Sequence, residues 1–176
     1  IEGCEYSFEL IGQKAGETIE FKPNILIESF KTVHRVSSQG YIVKLRKKKL
    51  RAEFEKLHPE EIIELRRKGV EVENIFWDPV FAFTGDTQIE FLDVSPQAAK
   101  SKVLMMEVTY YDSKKSVASA REWGHIHLDE LIPRLDSIGA EKILLIHTSR
   151  RHTRKEVLEI LAKRIPEKHR ERVSLF

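Results

Sequence analysis

The chain has 176 residues, 41% hydrophobic and 33% charged, the mix of an ordinary globular domain long enough for one sizeable core. A formal net charge of +2 is too mild to mark a nucleic-acid binder by total charge, and no apolar run approaches the ~18 residues of a membrane helix. The single cysteine, Cys4, excludes an internal disulfide framework; with acids in "IEGCEYSFEL" where a secretion signal would be basic, the cytoplasm is the expected compartment, or an organelle if an upstream targeting segment has been removed.

In chain order, "YSFELIG" (6–12) and "NILIESFKTV" (24–33) read as strands, with Gly16 and Pro23 in or beside turns. "GYIVKLR" (40–46) is a further strand. The period then changes: Leu50, Phe54 and Leu57 recur at helical spacing. A second helix begins at "HPEEIIELRRKG", where Pro59 suits the first turn, Glu60 and Glu61 suit the positive N-terminus, and Gly69 suits the stop. Strand and helix alternate afterwards. "PVFAFTGDT" (79–87), "KVLMMEVTY" (102–110) and "KILLIHTS" (142–149) are strands. "SPQAA" (95–99), "HLDELIPRLDSIGA" (127–140) and "TRKEVLEILAKRI" (153–165) are helical, and "RVSLF" (172–176) is an edge strand. Strands first and β-α-β later predict a layered α/β domain.

Several apolar strands end in a polar or ionisable group: His34, Asp86, Glu107 and His147. Ligand sites in α/β sheets gather at the carboxyl ends of strands, and imidazoles with a carboxylate are a plausible zinc donor set. Against this stand plainer readings. An Asp in "GDT" is often a turn former, and a strand-terminal His is often only hydrogen-bonded. The stretch "WGHIHLDE" (123–130) is one residue short of His-x-His-x-Asp-His. "SVASAREWG" before it is not an apolar strand, so Asp129 and Glu130 read as the first turn of a helix and His127 as its start.

The ordered segments "HRVSSQGY", "FTGDT", "MEVTY", "GHIHLDE" and "ILLIHTSRRH" resemble the C-terminal half of the metallo-β-lactamase-fold hydrolases, closest to ribonuclease Z, the tRNA 3′-processing endonuclease. The resemblance implies an α/β fold, one half of an αββα sandwich, with residues 1–176 forming a single partial domain. It implies His34, Asp86 and His147 as zinc ligands, with two zincs per complete site and Asp86 bridging them. Glu107 and His125 are the pair assisting proton transfer to the leaving group. Arg151, with Arg150 and Arg154, would hold substrate phosphate. The implied substrate is RNA, such as precursor tRNA, and the implied assembly a homodimer, or a pairing with an N-terminal half. That half would supply the His-x-His-x-Asp-His ligands, which this chain lacks, so the chain alone is not expected to hydrolyse anything. Where ribonuclease Z often carries a Gly/Pro-rich arm, this chain has "KLRKKKLRAEFEKLHPEEIIELRRKG", either an RNA-binding segment through Lys47, Lys48 and Lys49 or a surface helix pair. Two readings stay open beside this one: a non-catalytic structural or interaction half, and a hydrolase of another small phosphodiester.

Overall fold

The computed structural model describes residues 9–176. Seven strands form one mixed sheet in chain order: β1 (Thr18–Lys22), β2 (Ile25–Lys31), β3 (Gln39–Leu50), β4 (Glu73–Phe83), β5 (Val103–Glu107), β6 (Lys142–Ile146) and β7 (Val173–Leu175). Pairing is antiparallel from β1 to β4 and parallel from β4 to β7. The hairpin strands need only short turns, and the parallel ones need crossovers that carry helices. These helices are α2 (Phe91–Val94), α3 (Val117–Trp123), α4 (Leu128–Leu131) and α5 (Arg154–Arg164), while α1 (Pro59–Arg67) lies in the β3–β4 connection.

Register sorts the side chains into two faces. Ile42, Ala82, Leu104, Ile143 and Val173 are aligned neighbours across β3–β7 and are buried. Their core includes Phe91, Leu128, Leu131, Leu135, Val157 and Leu161 from the connecting segments. Truncating a fully buried leucine here, such as Leu104, costs about 2–5 kcal/mol. The opposite face carries Val43, Phe81, Val103, Met105 and Leu144, all half-buried. It is apolar and only partly covered.

Several expectations are revised. Of the strand expected over residues 6–12, positions 6–8 lie outside the described residues, as does Cys4, and 9–12 are not in a strand. Helical spacing at Leu50, Phe54 and Leu57 misleads: β3 runs on to Leu50 because Lys44–Leu50 pair with Glu73–Pro79 of an equally prolonged β4. A long two-stranded arm results, with a 3₁₀ turn at Ala52–Phe54 and α1 at its end. The "SPQAA" helix is displaced: α2 ends just before it at Val94, and only its last two residues enter a 3₁₀ turn, Ala98–Lys100. Pro133 sits in the segment expected to be one helix, and α4 gives way to a 3₁₀ run at Ile132–Ser137. Thr153 caps α5 by accepting from the Glu156 N–H, with Glu156 reciprocating in a capping box. No helix among the described residues is long and apolar enough to cross a membrane.

Candidate functional site

Because β2 runs parallel to β4, β5 and β6, their carboxyl ends share one edge of the sheet. Four sequence-predicted residues lie there: His34 after β2, Asp86 after β4, Glu107 closing β5 and His147 after β6. The fifth, His125, follows α3, which ends at Gly124 in the left-handed conformation. A side chain on Gly124 would collide with the His34 ring, so glycine both stops the helix and lets the two histidines approach. Their ring centroids are 5.3 Å apart, and those of His125 and His147 are 5.0 Å apart.

Glu107 organises the site. It is fully buried, yet both carboxylate oxygens are engaged. Oε1 accepts from the Thr87 N–H at 3.0 Å and from His125 Nδ1 at 2.8 Å; Oε2 accepts from the Thr109 hydroxyl at 2.8 Å and the Ile126 N–H at 3.3 Å. A buried carboxylate is tolerable only when its lone pairs are satisfied in this way.

These contacts also set the histidine tautomers. An ionised carboxylate can only accept, so the Thr109 hydroxyl donates to Glu107. Its oxygen, 2.9 Å from His147 Nδ1, therefore accepts from that nitrogen. His125 Nδ1 likewise donates to Glu107, and His34 Nδ1 donates to the Gly124 carbonyl at 2.9 Å. Each of these three imidazoles is thus held through Nδ1–H, which leaves Nε2 as the lone-pair nitrogen of the neutral ring, the arrangement that orients metal-ligating histidines. His147 Nε2 is 3.6 Å from Asp86 Oδ1.

Ligand atoms of Asp86, His125 and His147 all lie within 4.8 Å of one another. Two nitrogens and a carboxylate oxygen suit a borderline cation such as zinc. This grouping contains His125, expected from the sequence to move protons, and omits His34, expected as a ligand. His147 has φ 62°, the left-handed region, unlike any other described non-glycine residue. Such backbone strain concentrates at functional positions. The hydrogen bond to Glu107 raises the His125 pKa above the ordinary histidine value; desolvation opposes it, the charges of Glu107 and Asp86 assist, and Arg35 opposes.

His127 is buried and caps α4: its Nδ1 accepts from the Asp129 N–H while Glu130 completes the box. Arg150, Arg151 and Arg154 are exposed. Arg150 and Arg154 line a small cavity with Thr148, Ser149 and His152, and Arg154 donates to the Phe176 carbonyl at 2.9 Å. On the arm, Lys48 and Lys49 lie 3.7 and 3.9 Å from Glu73 and Glu55, which offsets part of the basic run. Sequence reasoning missed Thr109 and Thr87. Thr109 carried a signal, since strand alternation puts it on the same side as Glu107 two residues before; Thr87 contributes through its backbone and carried none.

No protein-family model matches the chain. Among curated proteins, "tRNase Z TRZ1" of Arabidopsis thaliana is 38% identical over 159 residues, 89% of this chain and 57% of that protein. "tRNase Z TRZ2, chloroplastic" of the same plant is 34% identical over 162 residues, 90% of this chain and 46% of that protein. The chain spans about half the length of the curated relatives it matches. Among solved structures, the metallo-beta-lactamase fold protein YhfI from Bacillus subtilis superposes with a TM-score of 0.56 at 14% identity, over 94% of this chain and 52% of that one. That likeness meets the fold expectation: a mixed sheet with helices packed on one face, half of a sandwich.

Proposed function

This chain is a homologue of tRNase Z with a metallo-β-lactamase fold, and on that premise we propose that it belongs to a zinc-dependent RNA endonuclease of the ribonuclease Z type, acting on precursor tRNA. The observation that carries the proposal is the ring of imidazoles at the sheet edge. Three Nδ1–H groups are fixed by Gly124, Glu107 and Thr109, and Asp86 stands opposite His147.

In this reading Asp86, His147 and His34 would hold metal, and bound zinc would supply Lewis acidity and a water of lowered pKa. The chain's own residues do the rest. Glu107 fixes the His125 ring through Nδ1 and stabilises its protonated form. Protonated His125 carries an Nε2–H toward the site and gives it to the departing ribose oxygen. General-acid help of this kind is typically worth ~10²–10⁴ in rate. Exposed Arg150 and Arg151 hold neighbouring phosphates. The grouping of His125 with Asp86 and His147 favours a second role for His125, as a metal ligand. His125→Ala separates the two, since a proton donor's loss leaves the metal bound and a ligand's loss releases it.

The half-buried apolar face of the sheet is, in this proposal, where a second half of the domain packs and brings the remaining ligands. Homodimerisation belongs to the same reading, as does a cytoplasmic compartment, or an organellar one, one relative being named chloroplastic. The test is cleavage of a precursor tRNA by the native protein, with and without a chelator. Trimming of the 3′ trailer that stops on chelation and returns with zinc supports the proposal. Cleavage indifferent to chelator, or no RNA cleavage with zinc bound, overturns it. A fully active small-phosphodiester hydrolase that ignores RNA would favour the alternative substrate class.

A further inference from the structure

Trp123 is 50% exposed at the end of α3, two residues before His125. An indole that large is not left at the surface by packing demand, and singly exposed aromatics gain meaning only from their surroundings. Here the surroundings are specific. The Arg35 guanidinium lies over the ring, 4.8 Å from its centroid. Arg35 follows His34, whose imidazole is tied to the Gly124 carbonyl, so both layers of the stack are anchored at the site itself. The stack is therefore a fixed shelf beside the reacting centre.

A cleft of about 650 Å³ opens from the same loop. Its lining includes Lys14, Lys31, His34, Arg35, Ser37 and Gln39, and no acidic residue is among the residues that line it. Val36 and Val94, both well exposed, supply apolar surface there. A cation-lined cleft with hydroxyl and amide groups, joined to an aromatic–guanidinium shelf, has the make-up of a single-stranded nucleic-acid site: backbone charge neutralised in a groove, a base stacked on a π surface. It does not suit an acidic protein as well, because the shelf offers a flat ring and only one charge.

Resting on the phosphodiesterase reading above, we propose that the Trp123–Arg35 stack and the cleft beside His34 form a subsite for unpaired nucleotides next to the scissile bond. One base lies on the shelf and the adjoining phosphates run into the cleft past Arg35 and Lys31. The subsite suits an unpaired strand, because base faces within a duplex are covered by their stacked neighbours. It places single-stranded flank, rather than helical stem, on the His34 side of the reacting centre.

The test uses the complete native protein with chelator present and fluorescein-labelled pentauridylate as the probe, read by anisotropy. Trp123→Ala is expected to weaken binding roughly five- to 150-fold, the range for losing one base stack, while Trp123→Phe keeps most of it. Lys31→Gln is expected to lower the salt dependence, the slope of log affinity on log salt, by about 0.7 for one single-strand phosphate lost. Unchanged thermal transitions in these variants separate the effect from misfolding. Trp123→Ala binding pentauridylate as tightly as wild type, or Trp123→Phe falling as far as alanine, overturns the shelf. Precursor-tRNA cleavage by the wild type runs alongside. If cleavage is present and Trp123→Ala changes neither binding nor KM, only the subsite fails. If the wild type neither binds pentauridylate nor cleaves RNA, the underlying reading fails with it.

Discussion

Thr109 is the joint between the buried carboxylate and His147, and removing its hydroxyl tests the tautomer argument directly. In Thr109→Val the Glu107 Oε2 retains only the Ile126 N–H at 3.3 Å, and His147 Nδ1 loses its acceptor. A hydrogen bond to a charged group is worth about 1.5–3 kcal/mol, and Thr109 is almost fully buried, so solvent cannot fully replace it. The apo protein should lose roughly 2–3 kcal/mol, a fall of about 4–12 °C in Tm for a domain of this size. Metal affinity should fall about 10–100-fold, as when a partner orienting a metal-binding histidine is removed. Thr109→Ser, which keeps the hydroxyl, should restore most of both. ¹⁵N NMR of the imidazoles reports the cause: wild-type His147 as the Nδ1–H tautomer, Thr109→Val as a mixture. If His147 is already the Nε2–H tautomer in the wild type, or if valine leaves affinity and tautomer unchanged, Glu107 does not set the His147 tautomer through Thr109.

Other substitutions probe the backbone and the buried polar groups. Gly124→Ala places a methyl against the His34 ring at φ 84°; left-handed strain alone costs about 1–2 kcal/mol, so calorimetry should show at least that loss, with metal affinity falling too. His147→Gly relieves the strain at φ 62° and should make the metal-free protein roughly 1 kcal/mol more stable than His147→Ala, both variants being inactive; equal stabilities would mean that the conformation is unstrained. Burial pushes the Tyr111 hydroxyl up to about 12. The folded state therefore keeps its proton where the unfolded chain, at about 10, has lost it. That stabilisation is full below pH ~10 and disappears as pH rises through ~12, roughly 2–3 kcal/mol in all; Tyr111→Phe should flatten this part of the alkaline unfolding profile.

The sequence shows the second half of the sheet more plainly than the first. "KVLMME" and "KILLIH" are short apolar runs flanked by Lys and an ionisable group, the mark of buried parallel strands, and they became β5 and β6. Helix α5 was legible as the amphipathic run "TRKEVLEILAKRI". The arm did not, because its strands are paired only with each other and exposed on both faces beyond the sheet. Lys47–Lys49 therefore alternate with nothing apolar, and Leu50 is free to match a helical period by accident. At the site, His34, Asp86, Glu107 and His147 were legible as strand-end groups, since topology sends those ends to one edge. His125 was legible only through resemblance, because its place depends on α3 and on the turn at Gly124. The contacts that tune the ensemble lie across long sequence separations, such as the Thr87 N–H on Glu107 and Gly124 against His34, and no local pattern encodes them. The cleft beside His34 was equally invisible, being assembled from the segment before β1 and the loop after β2.

In the proposed reading, Asp86 joins the histidines at the sheet edge in holding a catalytic metal. The most direct measurement is metal content by mass spectrometry on the complete native protein and on Asp86→Ala, alongside precursor-tRNA cleavage by each. About two zincs per site are expected in the wild type, with Asp86→Ala losing both bound metal and cleavage while keeping its fold. Asp86→Ala that retains its metal and cuts RNA at the wild-type rate would contradict it.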